Sequence, residues 1–423
     1  MRTKKLLLAC LSAAILLISS ILSVNAQETE DDYFVISGVV KDIRTKKTLE
    51  NVNVTALGTN VGTVTNADGE FSLKINKSLD VSRISFSNIG YLNSIISISK
   101  NSSKGRVFNL TPESYLLSEV QVFSWRNPRD LIKAAIEKIE TNYEAKPNKL
   151  TGFYRETVQK GRKYINISEA VIEMYKSPYK QSSDHDQVKI LKGRKLISPK
   201  LSDTLSVKLL GGPNLPVFLD IVKNPDLLLS EEILPYYAYK MGEAVSIDGQ
   251  LQFVVNFEPQ MIMNFPLYIG TFYIDRETLS ITRVEFSMDM RDKQKVTETI
   301  LKEKPTGLRF TPVEVSYLVT YKQQGEKTYL NYVRNEIKFK CDWKRRLFAT
   351  NYTVLGETVM TDRTENNVKR IPGREVFTTR QSLSKEVALY QDANFWSIYN
   401  IIEPTEYLEN AVNKLKKAQL KSE

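Results

Sequence analysis

The stretch TVTNADGEFSLKI, Thr63–Ile75, places a polar turn between two runs of strand-forming residues. After the turn, Phe71, Leu73 and Ile75 alternate with Ser72 and Lys74, the period of a strand with one buried face. The turn itself is Asn66-Ala67-Asp68-Gly69. Asn and Asp bond their own backbone in turns, and Gly accepts positive φ. The stretch therefore predicts a hairpin, with Asp68 as a turn residue and not as a ligand or catalytic acid. Working outward over residues 34–112, FVISGVV, NVNVTAL, GTVT, EFSLKI, RISFSN, SIISIS and RVFNL are seven short candidate strands. Gly, Asn, Asp and Ser separate them. Short strands with frequent turn signals point to a small β-sandwich.

SGVVKD, LENVNVTALGTNVGTVTNADGEFSLKI and ISFSNIGYLNSIISI, taken in succession, resemble the carboxypeptidase regulatory-like domain. The shared pattern is G-x-V, P/N-V-x-V, G-T-x-T-(N/D)-x-x-G-x-F and I-x-F-S-x-I-G-Y. The resemblance implies a transthyretin-like, seven-stranded sandwich of the kind found in envelope proteins of Gram-negative bacteria. It implies no activity. A zinc carboxypeptidase needs H-x-x-E and a distant second histidine, and this chain has one histidine. The segment 113–126 contains LSEVQV and is similar to the extended linker that follows this module in envelope receptors.

Beyond the linker, Asn127-Pro128 supplies a helix cap and a first helical position. Leu131, Ala135, Ile136, Ile139 and Tyr143 follow at helical spacing, which predicts a helix docked on the next domain. From about residue 150 the chain reads as long strands: KYINISEAVIEMY, LQFVVNFEP, YIGTFYID, SITRVEFSM, VEVSYLVTY and TYLNYVRNEIKFKCDW. In VEVSYLVTY, Val313, Val315, Tyr317, Val319 and Tyr321 are assigned to one face. Consecutive strands with tight turns predict a curved antiparallel sheet or open barrel over 127–423. The fold class is thus mainly β, a sandwich followed by a larger curved sheet with flanking helices.

The segment 199–240 breaks this pattern with GGPNLPVFLDIVKNPDLLL and predicts a helical or irregular insertion. Two readings follow: a plug that fills the concave side of the sheet as core, or a lid over a lipid-like ligand. FPLYIGTFYIDRETLSITRVEFSM (265–288) resembles a hairpin of periplasmic lipoprotein carriers and related half-barrels through G-x-x-x-I-D-x-x-T-x-x-I-x-R-V-E. In that family the sheet curls around an apolar cavity. At the end, Pro404 reads as a helix start, with Leu408, Ala411, Val412 and Leu415 on one face of a helix over 404–420. This terminal segment is similar to that of short envelope proteins carrying the regulatory-like domain.

The chain opens MRTKKLLLACLSAAILLISSILSVNAQ, a basic start, an apolar run and small residues at Val24 and Ala26. This is the layout of a secretory signal cleaved between Ala26 and Gln27. Too little apolar sequence precedes Cys10 for a lipoprotein signal. Loss of Arg2, Lys4 and Lys5 takes three charges from the formal +10 and leaves +7. Without a concentrated basic block, that surplus predicts weak attraction to anionic surfaces and no nucleic-acid partner. The expected location is the periplasm or outer membrane, with peripheral outer-membrane association.

Two cysteines and one histidine restrict the chemistry. Once Cys10 is removed only Cys341 remains, so no internal disulfide forms. One His and one Cys cannot build a His/Cys zinc site, and His185, in QSSDHDQ, reads as a solvated loop residue. No catalytic, metal or cofactor-binding residue is assigned, and the expectation is a non-enzymatic envelope protein that binds a partner or apolar, lipid-like ligand. Two rival readings stay open. A hydrolase would use paired carboxylates such as Asp289/Asp292, Glu231/Glu232 or Asp184/Asp186. An integral barrel fits the long strands and the 21 tyrosines. Against the barrel, TETILKEK and KFKCDWKR, read as strands, put charge on both faces.

Overall fold

The computed structural model describes residues 32–113, 125, 127–203, 205, 207–343, 348–390, 395–396 and 398–421. The leader and nearly all of the linker lie outside them, so the signal and linker readings are not addressed. No helix among the described residues is long and apolar enough to cross a membrane.

Seven strands form at the N-terminal end: β1 (Tyr33–Asp42), β2 (Asn53–Ala56), β3 (Gly62–Val64), β4 (Glu70–Asn76), β5 (Arg83–Ser87), β6 (Ser94–Ser97) and β7 (Ser103–Leu110). One sheet runs β4-β1-β7 and the other β3-β2-β5-β6. The hairpin expected at Thr63–Ile75 is therefore corrected. β3 pairs with β2, and β4 pairs with β1, so the NADG turn carries the chain from one sheet to the other. Turn chemistry reveals a tight reversal but not which neighbour each strand takes. Here β4 needs β1 as partner so that Phe71, Leu73 and Ile75 reach the core between the sheets. That core is sealed by Phe71, Phe86 and Phe108, with ring centroids 4.7–5.5 Å apart.

Asn66 holds the turn. Its side-chain oxygen accepts from the N–H groups of Asp68 and Glu70, both at 2.9 Å, while Gly69 sits at φ 74°. A Cβ at Gly69 would meet the Val40 carbonyl oxygen at 2.7 Å.

The next unit is built on β8 (Asn148–Lys160), β9 (Lys163–Lys176), β10 (Gln187–Ile197), β11 (Lys208–Leu209), β12 (Tyr237–Met241) and β13 (Val245–Ile247). It continues through β14 (Gln250–Pro259), β15 (Tyr268–Asp275), β16 (Ile281–Met288), β17 (Leu301–Glu303), β18 (Leu308–Gln324), β19 (Lys327–Trp343), β20 (Thr350–Thr364) and β21 (Ala388–Leu389). All but β11 and β17 join one twelve-stranded sheet. Its order is β12-β14-β15-β16-β18-β19-β20-β8-β9-β10-β21, with β13 also on β14. The end strands β12 and β21 do not pair, so the sheet stays open. The hairpin β15–β16 turns where Asp275 Oδ1 accepts from the N–H groups of Glu277 (3.0 Å) and Thr278 (2.8 Å).

The face assigned to β18 needs one change. Pro312 pairs with Phe339 and Glu314 with Lys338, leaving Val313 as an extra, exposed residue in a bulge. TETILKEK is also corrected: it begins inside a helix, Lys293–Ile300, whose N-cap Asp292 accepts from Gln294 and Lys295. Val296 and Ile300, four apart, are buried on one side of that helix.

Four helices matter to the packing: α1 (Pro128–Glu137), α2 (Leu215–Phe218), α3 (Lys293–Ile300) and α4 (Glu406–Leu420). α1 is capped by Asn127 and buries Leu131, Ile132 and Ala135. α4 starts two residues after Pro404, because the Thr405 hydroxyl caps it by accepting from Leu408. Its Leu408, Val412 and Leu415 pack on Ile167 and Leu196 of β9 and β10.

Candidate functional site

The insertion decides what the curved sheet can hold. Leu215, Val217, Leu219, Ile221, Val222, Leu228, Leu229 and Leu234 join Phe253, Phe257, Phe272 and Val319 in one core. α1 adds Leu131, Ile132 and Ala135 to the same cluster. The insertion thus fills the sheet as core, and the open space lies along its outer margin.

There a cleft of about 1040 Å³ opens between the end of α1, the β9–β10 connection, the insertion and residues 376–379. Ile136, Ile139, Val217, Phe218, Leu227 and Phe377 give it apolar walls. Tyr179, Asp186 and Lys223 form its polar floor, backed by the buried Lys176, Ser177 and Asp220. Lys176 Nζ donates to Asp186 Oδ2 at 3.2 Å and also to Asp220. Lys223 Nζ donates to Asp186 Oδ1 at 2.7 Å, the Ser177 hydroxyl at 2.8 Å and the Ser177 carbonyl at 2.5 Å. Asp220 also accepts from Tyr179 (3.1 Å) and Tyr321 (2.8 Å), and Tyr321 in turn accepts from the Val222 N–H.

Burial lowers the Lys223 ammonium to about 8, helped by the like charge of Lys176 and opposed by Asp186. Burial works against Lys176 too, but Asp186 and Asp220 outweigh it and hold its ammonium above the ordinary lysine range. Two lysines and two aspartates balance in charge, and all three Lys223 protons are taken. The floor latches the insertion to the end of β9, since Asp220 and Lys223 belong to the insertion, Lys176 is the last residue of β9 and Ser177 follows it.

The sequence-level carboxylate pairs do not come together as pairs. Asp186 is in this floor, whereas Asp184 is exposed. Asp289 pairs with Arg291, Asp292 caps α3, and Glu231 and Glu232 are exposed. His185 is exposed on a short 3-10 turn. Among the described residues no group of three His, Cys, Asp or Glu could hold a metal. Sequence reasoning missed Lys176, Asp220 and Lys223; Lys176 lies 44 residues before Asp220, so the cluster carries no spacing signal.

A second polar centre fixes the sandwich to the sheet. Arg155 donates to Glu169 at 2.8 Å and to the Ile402 carbonyl at 2.7 Å. Arg194 and Tyr390 reach the other oxygen of Glu169, at 3.1 and 3.0 Å. Residues 395–396 and 398–403 run between the two units. Val64 of the sandwich, Phe153 and Val171 of the sheet, and Trp396, Ile401 and Ile402 share one core. Thr63 donates to the Ile401 carbonyl at 2.9 Å, and Lys74 Nζ to those of Trp396 and Tyr399 at 2.7 and 2.9 Å. Asn400 bonds both backbone groups of Lys74, as a neighbouring strand would.

A family model for the CarboxypepD_reg-like domain matches residues 36–122, so the sandwich is a module of that type. No curated protein sequence matched the chain. Among solved structures, one similar chain is described as an outer membrane lipoprotein-sorting protein domain from Vibrio parahaemolyticus, at 11% identity and TM-score 0.24. It covers 56% of this chain and 94% of its own. A LolA superfamily protein from Nitrosomonas europaea is 9% identical with TM-score 0.22, covering 59% and 99%. A DUF1329 family protein from Desulfovibrio piger gives 9% and 0.22, covering 57% and 93%.

Proposed function

We propose that this is a non-enzymatic exported envelope protein whose sandwich positions the large sheet, and whose large sheet binds an apolar, lipid-like ligand. The observation that carries the reading is the cleft of about 1040 Å³ with apolar walls over an internally satisfied floor. Apolar walls suit acyl or similar chains. A floor whose lysine protons are already engaged favours holding a ligand over transforming it. The leader and the regulatory-like module support an envelope setting.

Organic extraction and mass spectrometry of the mature protein should find co-purifying lipid. A fluorescent fatty acid should bind saturably, and Val217→Trp should weaken that binding by narrowing the cleft. Clean extracts, together with a probe insensitive to Val217→Trp, would overturn the proposal. A second reading, a purely structural or docking role, is favoured by the insertion filling the sheet as core. It predicts that outcome.

A further inference from the structure

We infer that one end of the large sheet is a docking face for an anionic lipid surface, independently of the cleft reading. The strand registers bring five connections to this end. They are the β8–β9 turn, residues 198–203 after β10, the β14–β15 loop, the β16–β18 connection with α3, and residues 348–349 before β20. Adjacent connections are tied together. The Asp289 N–H donates to the Leu267 carbonyl at 2.8 Å, Leu210 N–H to Ile300 at 2.9 Å, and Lys160 Nζ to Ser202 at 2.6 Å.

Large apolar side chains project from three of these connections. Ile262 is 91% exposed, Leu201 93% and Phe348 82%, and Met261 and Phe265 flank Ile262 on the same loop. At the opposite end the turns 248–249, 276–280, 325–326 and 365–370 expose no large hydrophobic among the described residues. Scattered single apolar residues are ordinary; a set confined to the loop tips of one end is not.

Charge selects the occupant. Arg162, Lys200, Lys293, Lys302, Arg309 and Lys340 are exposed at this end, none in an ion pair among the described residues. Of the acids here, Asp203, Asp289, Asp292 and Glu303 are each neutralised by a lysine or arginine, leaving fewer unpaired acids than bases. Apolar tips among unpaired cations fit the interface of a bilayer with anionic headgroups. The tips enter the headgroup boundary while the cations stay at the phosphate level.

The test is co-sedimentation of the mature chain with phosphatidylglycerol-containing vesicles, against phosphatidylcholine alone. Anionic vesicles should bind the protein and release it at high salt, and neutral ones should bind it weakly. Ile262→Asp and Leu201→Asp, both at exposed positions, should each weaken binding about tenfold without changing the melting temperature. Lys302→Glu/Lys340→Glu should do the same and flatten the salt dependence. Val217→Trp should bind vesicles as the wild type does, which separates this face from the cleft. No binding to anionic vesicles, or unchanged binding by the Ile262 and Leu201 variants, overturns the inference. So does self-association abolished by Ile262→Asp, which would assign the face to a second copy.

Discussion

Gly69 and Asp68 show how much one turn can hold. Gly69→Val forces a β-branched residue to φ 74° against the Val40 carbonyl, and should cost about 1–3 kcal/mol in thermal unfolding of the full chain. An unchanged melting temperature would contradict the geometry. Asp68 does more than the turn asks: its Oδ2 accepts from the Glu406 N–H at 2.9 Å, in the first turn of α4. Asp68→Ala should therefore cost about 0.3–1 kcal/mol, while Asp68→Asn keeps an acceptor and costs less. Lys322 gives a pH signature. Half-buried beside the sandwich, where it donates to Thr55, its ammonium is lowered by desolvation to about 8, below the 10.5 of the open chain. The unfolded state then holds the proton more tightly, so this lysine's contribution to stability rises between about pH 8 and 10.5. Denaturant unfolding at pH 7.5 and 10 should show a more positive pH slope for the wild type than for Lys322→Met, since Lys223 contributes equally to both. Equal pH slopes for the two proteins would remove the argument.

Among the elements, the insertion is the piece whose attachment can be measured. Lys176→Met leaves Asp186 with Lys223 but Asp220 without a cation, in a site where Lys176 is 1% exposed and Asp220 0%. Removing one partner of a buried pair costs about 3–5 kcal/mol. Lys176→Met/Asp220→Asn should lose less than the sum of the single variants, because neither charge is stranded. Additive losses in urea denaturation would mean that the two residues do not act as a pair. The sequence hid this latch for a physical reason. Asp186 stands in QSSDHDQ, whose polarity reads as solvated loop, and its partners come from residues 176 and 223. The Leu-rich insertion was legible as buried material, but only the fold distinguishes a plug from a lid.

Over the whole molecule, what could be read was what depends on local rules. The seven strands of the sandwich, the Asn127–Pro128 cap, the β15–β16 hairpin and the curved open sheet all follow from alternation, capping and turn chemistry. What escaped depends on partners far along the chain. The NADG turn joins two sheets because β1 and β2, not the turn, choose the neighbours of β4 and β3. The Val313 bulge arises from register against β19, which alternation in one strand cannot display. α3 was obscured because TETILKEK straddles the end of a helix and the start of β17.

The segment running between sandwich and sheet sets a time scale as well as a geometry. Thr63 meets Ile401 across 338 residues, and Asn66 meets Glu403 across 337. Each unit can gain its own core through much shorter closures, whereas this junction waits for the longest loop in the molecule to close. Refolding should therefore proceed in two stages, an early collapse of sandwich and sheet followed by a slower docking step. Trp396, 3% exposed within the junction, is placed to report the second stage by its fluorescence. In the interval the surfaces around Val64, Phe153 and Val171 remain uncovered. A chain delayed there presents the apolar patches on which holdase chaperones act and from which aggregates grow.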